Sequence, residues 1–242
     1  MTAFEPYLPI NVPKPFAEGI WIVDGPEIRM DYGPATLPFP TRMVVVRLKS
    51  GDLWLHSPIA PNAELFDAID AMGEVRHLIA PNSIHYWYMA DWIDRYPSAM
   101  SYAVADLARK AKRPFRIDHV LRNGETVSWE AEIDWVEVPG TAVTEAAFHV
   151  PTASTVILAD LIENFEVGRI NSWFHRLLVR LGGADGGTPR DLRLTFWPRS
   201  REVAERVARI LAWQPDKVIM AHGRPISSDG AAELERGLGW AL

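Results

Sequence analysis

RHLIAPNSIHYWY, residues 76–88, begins as a strand-like apolar run, ends that run at Ala80, and sets one histidine, His85, directly before three aromatic residues. A helix around Ala90–Tyr96, carrying Trp92 and Ile93, follows it. Upstream, RMVVVRL (Arg42–Leu48) and LWLH (Leu53–His56) are two strand-like runs separated by a polar Gly turn, the pattern of a hairpin. Asn62 then suits the N-cap of a helix whose Leu65, Phe66, Ile69 and Met72 share one face and whose stop is Gly73.

The same alternation runs downstream. A short strand MSYA precedes a helical stretch over Val104–Lys112, and strands are expected at Ile133–Val138 and Ala146–Val150. TVILAD (Thr155–Asp160) is a continuous apolar run ending on a carboxylate, as in a buried strand that delivers an acidic side chain to a sheet edge. Ser200 caps a helix with Val203, Val207, Ile210 and Leu211 on its apolar face, and KVIMA leads into His222 and Gly223. The first forty residues are Pro-rich, with IWIV (Ile20–Val23) as their one clear strand, and read as a lead-in segment over the surface.

Residues 165–198 are less regular and form an insertion or lid. RINSWFHRLLVRL within them is amphipathic and basic, and GGADGGTP is a flexible loop. Two readings stand side by side: a helix that packs Trp173, Phe174, Leu177 and Leu178 onto the sheet, or a lid or dimer contact beside the site.

Composition narrows the function classes. With 242 residues, 48% hydrophobic and 23% charged, the chain suits one domain, residues 1–242, around a single large core. A net charge of −6 gives no electrostatic reason to expect nucleic acid or an anionic membrane, so a small molecule or a protein is the expected partner, a homodimer included. There is no cysteine, so any metal must be held by His, Asp or Glu. No basic-then-apolar leader opens the sequence and no apolar run is long enough to span a bilayer, which makes the cytoplasm the expected location.

Taken in order, FAEGIWIV, LWLHSPI, RHLIAPNSIHYWY, YPSAMSYA, VPGTAVTEAAFHVP, TVILADLIEN and VIMAHGRPI resemble the succession of landmarks in metallo-β-lactamase-fold proteins. The resemblance is nearest to a branch with a degenerate histidine motif, the DUF4336 type. It implies a single-domain α/β fold, a four-layer αββα sandwich, and a site at which zinc or iron activates water. Active members carry T-H-x-H-x-D-H after a strand, a His in a P-G-H turn, a bridging Asp at a strand end and a last His before Gly. Here the first motif becomes APNSIHYWY, in one of two registers. With His85 at the second His position, Ser83, Trp87 and Tyr88 replace the other ligands; with His85 at the Asp position, Pro81, Ser83 and Tyr86 do. The P-G-H turn reads Pro139, Gly140, Thr141, with His149 on the strand after it. Asp160 matches the bridging carboxylate and His222 the last histidine, while His56 takes the place of a near-site Asp.

The surviving set is His85, Asp160 and His222, two imidazoles and a carboxylate, enough for one divalent ion of Zn, Fe or Mn with positions open to water. His56, Ser83, Thr141, His149, Tyr86 and Trp87 are expected around it, as supporting or pocket residues. Tyr86 and Trp87 either line an aromatic pocket or fill the core, and Ser83 is a nucleophile with His85 as its base or a small polar replacement. Two functions follow. One is a mononuclear metal-dependent hydrolase of an ester, amide or phosphoester. The other is a metal-free member of the fold, with no cofactor, that binds a small ligand or a protein.

Overall fold

The computed structural model describes residues 2–32 and 35–242. Among these, the larger sheet holds seven strands side by side in chain order: β1 (Lys14–Ala17), β2 (Ile20–Tyr32), β3 (Ala35–Arg47), β4 (Leu53–His56), β5 (Val75–Ala80), β6 (Met100–Val104) and β7 (His119–Leu121). The strands β1 to β4 are antiparallel neighbours, and β4 to β7 are parallel. Parallel strands need crossovers, which α1 (Ala63–Asp70), α2 (Met89–Arg95) and the single turn α3 (Leu107–Lys110) supply. Asn62 caps α1 as expected, its side chain accepting from the Leu65 N–H, and Leu65 and Ile69 are fully buried below it. The helix expected over Val104–Lys112 shrinks to α3 because β6 keeps Val104 in the sheet.

The second sheet has the order β13-β10-β9-β8, built from β8 (Asp134–Val138), β9 (Glu145–Val150), β10 (Thr155–Ile157) and, near the C-terminus, β13 (Lys217–Ile219). Between β10 and β13 lie β11 (Glu163–Asn164), α4 (Trp173–Gly182), β12 (Asp185–Gly187), α5 (Arg190–Phe196) and α6 (Ser200–Ala212), and α7 (Gly230–Leu238) follows. Every residue of β9 is buried. Its outer side meets Val203, Val207 and Ile210 of α6 and Leu234 and Leu238 of α7 in one apolar cluster.

The core lies where the sheets face each other. Trp54 of β4 meets Phe148 of β9 edge-on at 5.0 Å and Trp129 at 5.8 Å, all of them almost fully buried. Each such side chain contributes about 1.5–3 kcal/mol by leaving water, so this seam holds the sheets together.

Two expectations fail. The N-terminal region is not a surface lead-in alone, because β2 and β3 are each thirteen residues long and pair almost throughout. Among the described residues, only Ile20, Trp21 and Ile22 of β2 also pair with β1 and only Val44–Arg47 of β3 with β4, so the outer half of the hairpin is a two-stranded arm whose edges pair with no third strand. Free edges tolerate the prolines that suggested loop: Pro26 sits in a register shift between Gly25 and Ile28, and Pro38 faces Arg29. In α4, Val179 is the buried side chain, while Trp173, Phe174, Leu177, Leu178 and Leu181 are exposed. The helix therefore does not press those residues onto the sheet; Ser172 caps its start and Gly183, at φ +70°, ends it.

Candidate metal centre

Three loops bring the site together, one after each of β5, β10 and β13. His85 lies five residues beyond β5, Asp160 three beyond β10 and His222 three beyond β13. His85 Nε2 is 3.1 Å and His222 Nε2 3.3 Å from the same oxygen, Asp160 Oδ1. One ligand atom from each residue lies within 4.8 Å of the other two, and all three side chains are buried to at least nine-tenths.

Asn82 builds the floor of this site. Its Oδ1 accepts from the N–H groups of Ile84 and His85 at 2.9 and 2.8 Å, which bends the chain so that His85 faces inward. Its Nδ2 donates to Asp160 Oδ2 at 2.8 Å and to Glu145 Oε2 at 2.9 Å. Glu145, fully buried on β9, also accepts from the N–H groups of Ala159, Asp160 and Leu161, so its carboxylate clamps the turn that carries Asp160.

A second polar chain holds His222. The buried Arg42 donates to the carbonyls of Met220 and Gly223 at 2.7 and 2.8 Å and to Asp24 Oδ1 at 2.8 Å; Lys14 pairs with the other Asp24 oxygen. Gly223 sits at φ +88°, and a Cβ there would lie 1.9 Å from the Asn164 carbonyl oxygen, so glycine is required. The imidazole of His222 stacks on Phe165 at 5.7 Å and tilts against Phe39 at 5.6 Å. Phe39 belongs to the hairpin arm, as do Ile28 and Met30, which border a void of about 30 Å³ beside His85 and His222.

Charges divide accordingly. Burial disfavours a proton on His85, but the Asp160 carboxylate, its hydrogen bond and Glu145 outweigh this and raise the pKa. Burial works against an ionised Asp160, yet His85 and His222 hold its pKa far below the usual carboxylate range. Burial pushes His222 down despite Asp160. Burial and the Asp160 carboxylate push Glu145 up to about 7 against its N–H donors.

The other sequence candidates divide between the site and the rest of the fold. His56 is buried between Trp54 and Phe148, has no partner on either ring nitrogen, and is pushed down to about 3 by burial, with His85 adding to the effect. Tyr86 is buried and accepts from the Lys112 N–H, and Tyr86 and half-exposed Trp87 border the void; Ser83 does not. Thr141 is not at the site: it is exposed, donates to the Thr195 carbonyl and lines a separate polar hollow. His149 is also elsewhere, four residues along β9 from Glu145, or about 13 Å, paired with Asp134 and stacked on Trp213. Asn82, Glu145, Arg42 and Ser57 were not singled out by the sequence reading, although an Asn three residues before His85 is a turn signal, and an acid opening an apolar strand marks a buried carboxylate.

Two packed sheets, helices on both outer faces and polar loops gathered at one edge define the metallo-β-lactamase fold, a four-layer αββα sandwich in one domain. The chain belongs to the family described as "Domain of unknown function (DUF4336)", which matches residues 20–169. Among solved structures, a metallo-β-lactamase from Hirschia baltica is 15% identical, with TM-score 0.61 over 95% of this chain and 96% of that one. One from Pseudomonas aeruginosa in a mono-zinc form is 17% identical, with TM-score 0.61 over 96% and 98%. A flavodiiron core from Synechocystis is 10% identical, with TM-score 0.60 over 99% of this chain and 61% of its own. A curated relative, hydroxyacylglutathione hydrolase from Jannaschia, is 33% identical over 87 residues, 36% of this chain and about a third (34%) of that protein's length. Among the described residues no helix is long and apolar enough to cross a membrane.

Proposed function

We propose that the protein is a metal-dependent hydrolase that holds one divalent ion, Zn, Fe or Mn, on His85 Nε2, Asp160 Oδ1 and His222 Nε2. The observation that carries this reading is the convergence of both imidazoles on one carboxylate oxygen beside a void of about 30 Å³. The donor set fits: two imidazole nitrogens and a carboxylate oxygen suit these ions, and three protein ligands leave room for water. The supporting shell fits as well, since Ser57 Oγ meets His85 Nδ1 at 2.8 Å and Asn82 fixes the outer oxygen of Asp160.

When bound, the ion supplies a Lewis acid that polarises the scissile group and makes water nucleophilic at neutral pH. The chain's own residues prepare the place. Asp160 stays ionised, Asn82 keeps its carboxylate from rotating, Glu145 fixes the backbone that carries it, and Arg42 fixes the backbone on either side of His222. Ile28, Met30, Ile59 and Ile84 give the void an apolar wall that limits competing water. The substrate is an ester, amide or phosphoester, and the name of the hydroxyacylglutathione hydrolase relative favours an acyl compound. Elemental analysis of protein purified without chelator tests the reading: close to one equivalent of metal is expected, lost in Asp160→Ala and His222→Ala, and protein that stays metal-free after loading overturns it.

One observation favours a second reading, a metal-free binding module. Trp173 of α4 is 74% exposed and Phe174 47%, on a helix whose charged residues are Arg176 and Arg180. On that reading Trp173→Ser and Phe174→Ser change self-association or partner binding, measured by light scattering; unchanged mass and binding count against it.

A further inference from the structure

We propose that Ser57 is a nucleophile: in the metal-free protein, Ser57, His85 and Asp160 form a serine–histidine–aspartate relay that hydrolyses esters of short, uncharged acyl groups. The relay is complete in its distances. Ser57 Oγ lies 2.8 Å from His85 Nδ1, and His85 Nε2 lies 3.1 Å from Asp160 Oδ1. This is the nucleophile–base–orienter arrangement of serine hydrolases with the imidazole turned end for end, and either ring nitrogen can serve as the base.

The surrounding structure supports the roles. Ser57 follows β4 directly, at φ +54°, a conformation that residues other than glycine rarely adopt; its N–H is fixed to the Ile79 carbonyl at 2.9 Å. Such backbone strain, held in place by its neighbours, is common where a side chain must be aimed. Asp160 cannot swing away, because Asn82 holds its second oxygen at 2.8 Å. Ser83, two residues from His85 in sequence, does not border the void, whereas Ser57 does, from a different strand end.

The void sets the substrate class. Its volume of about 30 Å³ is room for roughly two waters, which matches an acetyl group, and no Asp, Glu, Lys or Arg lines it. Half-exposed Trp87 stands at its border, where a leaving group reaches solvent. In the reaction Ser57 Oγ attacks the ester carbonyl carbon while its proton passes to His85. The imidazolium, stabilised by Asp160, returns that proton to the departing alkoxide as the ester C–O bond breaks. Water then attacks the acyl-serine, giving a proton to His85, which passes it to Ser57 Oγ as the carboxylic acid leaves.

An ion on His85 Nε2 and Asp160 Oδ1 would occupy the atoms the relay needs, so the two activities exclude each other. The test uses full-length protein stripped by chelator and shown metal-free by elemental analysis, treated separately with methanesulfonyl fluoride, a serine-sulfonylating probe little larger than an acetyl group, and with p-nitrophenyl acetate. One probe adduct on Ser57, located by mass spectrometry, is expected. Acetate-ester cleavage should fall about a hundredfold or more in Ser57→Ala and Ser57→Gly, the glycine variant being suited to the backbone at this position. An unlabelled Ser57 in folded wild-type protein, or cleavage that persists in both variants, overturns the proposal. Because both readouts are taken without metal, they do not depend on whether the metal-dependent reading holds.

Discussion

Asn82 Nδ2 donates to Asp160 Oδ2 at 2.8 Å, across seventy-eight residues of sequence and between the loops after β5 and β10. The same nitrogen also reaches Glu145, so one amide keeps two buried carboxylates apart and in register. Asn82→Ala removes the donor and leaves those acceptors short of a partner, at a cost of about 1–3 kcal/mol. Metal affinity is expected to weaken by roughly 10–100-fold. Urea denaturation and a metal titration by calorimetry check the two effects separately.

Arg42 and Lys14 share Asp24 but contribute unequally. Arg42 is 2% exposed and also satisfies two carbonyls beside His222, whereas the Lys14 side chain is 27% exposed. Arg42→Met is expected to destabilise by about 3–5 kcal/mol, because it strands those acceptors. Lys14→Ala should cost under about 1 kcal/mol. Equal losses in chemical denaturation would contradict the assignment of Arg42 as the support of the His222 loop.

Gly223→Ala should fail for two reasons, the positive φ and the overlap with the Asn164 carbonyl. A loss of about 3 kcal/mol or more is expected. Metal retention, followed by elemental analysis of whatever variant protein folds, should fall with it, since the strained residue adjoins His222.

His56 gives a pH dependence. Its pKa falls from the usual 6.5 to about 3 in the folded chain, chiefly by burial. Between those values the unfolded chain binds a proton that the folded chain does not, so this contribution is complete above pH 6.5 and is lost as pH falls toward 3. His85, whose pKa is raised, acts in the opposite sense, so the comparison must be between wild type and His56→Leu. The variant is expected to lose less stability between pH 6.5 and 4, measured by urea midpoints; parallel curves would sink the assignment.

Much of this was legible in the sequence because periodicity and turn residues speak locally. Asn62 before Leu65 and Ile69, the apolar run of β5 and the run into Asp160 each declared their element, and the landmark order gave the fold. The hairpin arm was hidden because its prolines sit on free edges, where they break no ladder, yet it brings Phe39 onto His222. Helix α4 misled for a related reason: its apolar spacing is real, but spacing does not say whether an apolar face meets the protein or solvent. His85, Asp160 and His222 were legible in the sequence, whereas Asn82, Glu145, Arg42 and Ser57 act through contacts between segments far apart in sequence. Thr141 looked close because it stands at the histidine place of the P-G-H turn, and His149 because it lies on the strand that follows; the Thr195 contact and the strand direction carry them away.

The central claim, one ion on His85, Asp160 and His222, is tested most directly by X-ray scattering from a metal-loaded crystal at the absorption edge of the loaded element. The account predicts a single anomalous peak about 2.0–2.2 Å from His85 Nε2, Asp160 Oδ1 and His222 Nε2. An absent peak after loading, or one that lies away from these three atoms, would contradict it.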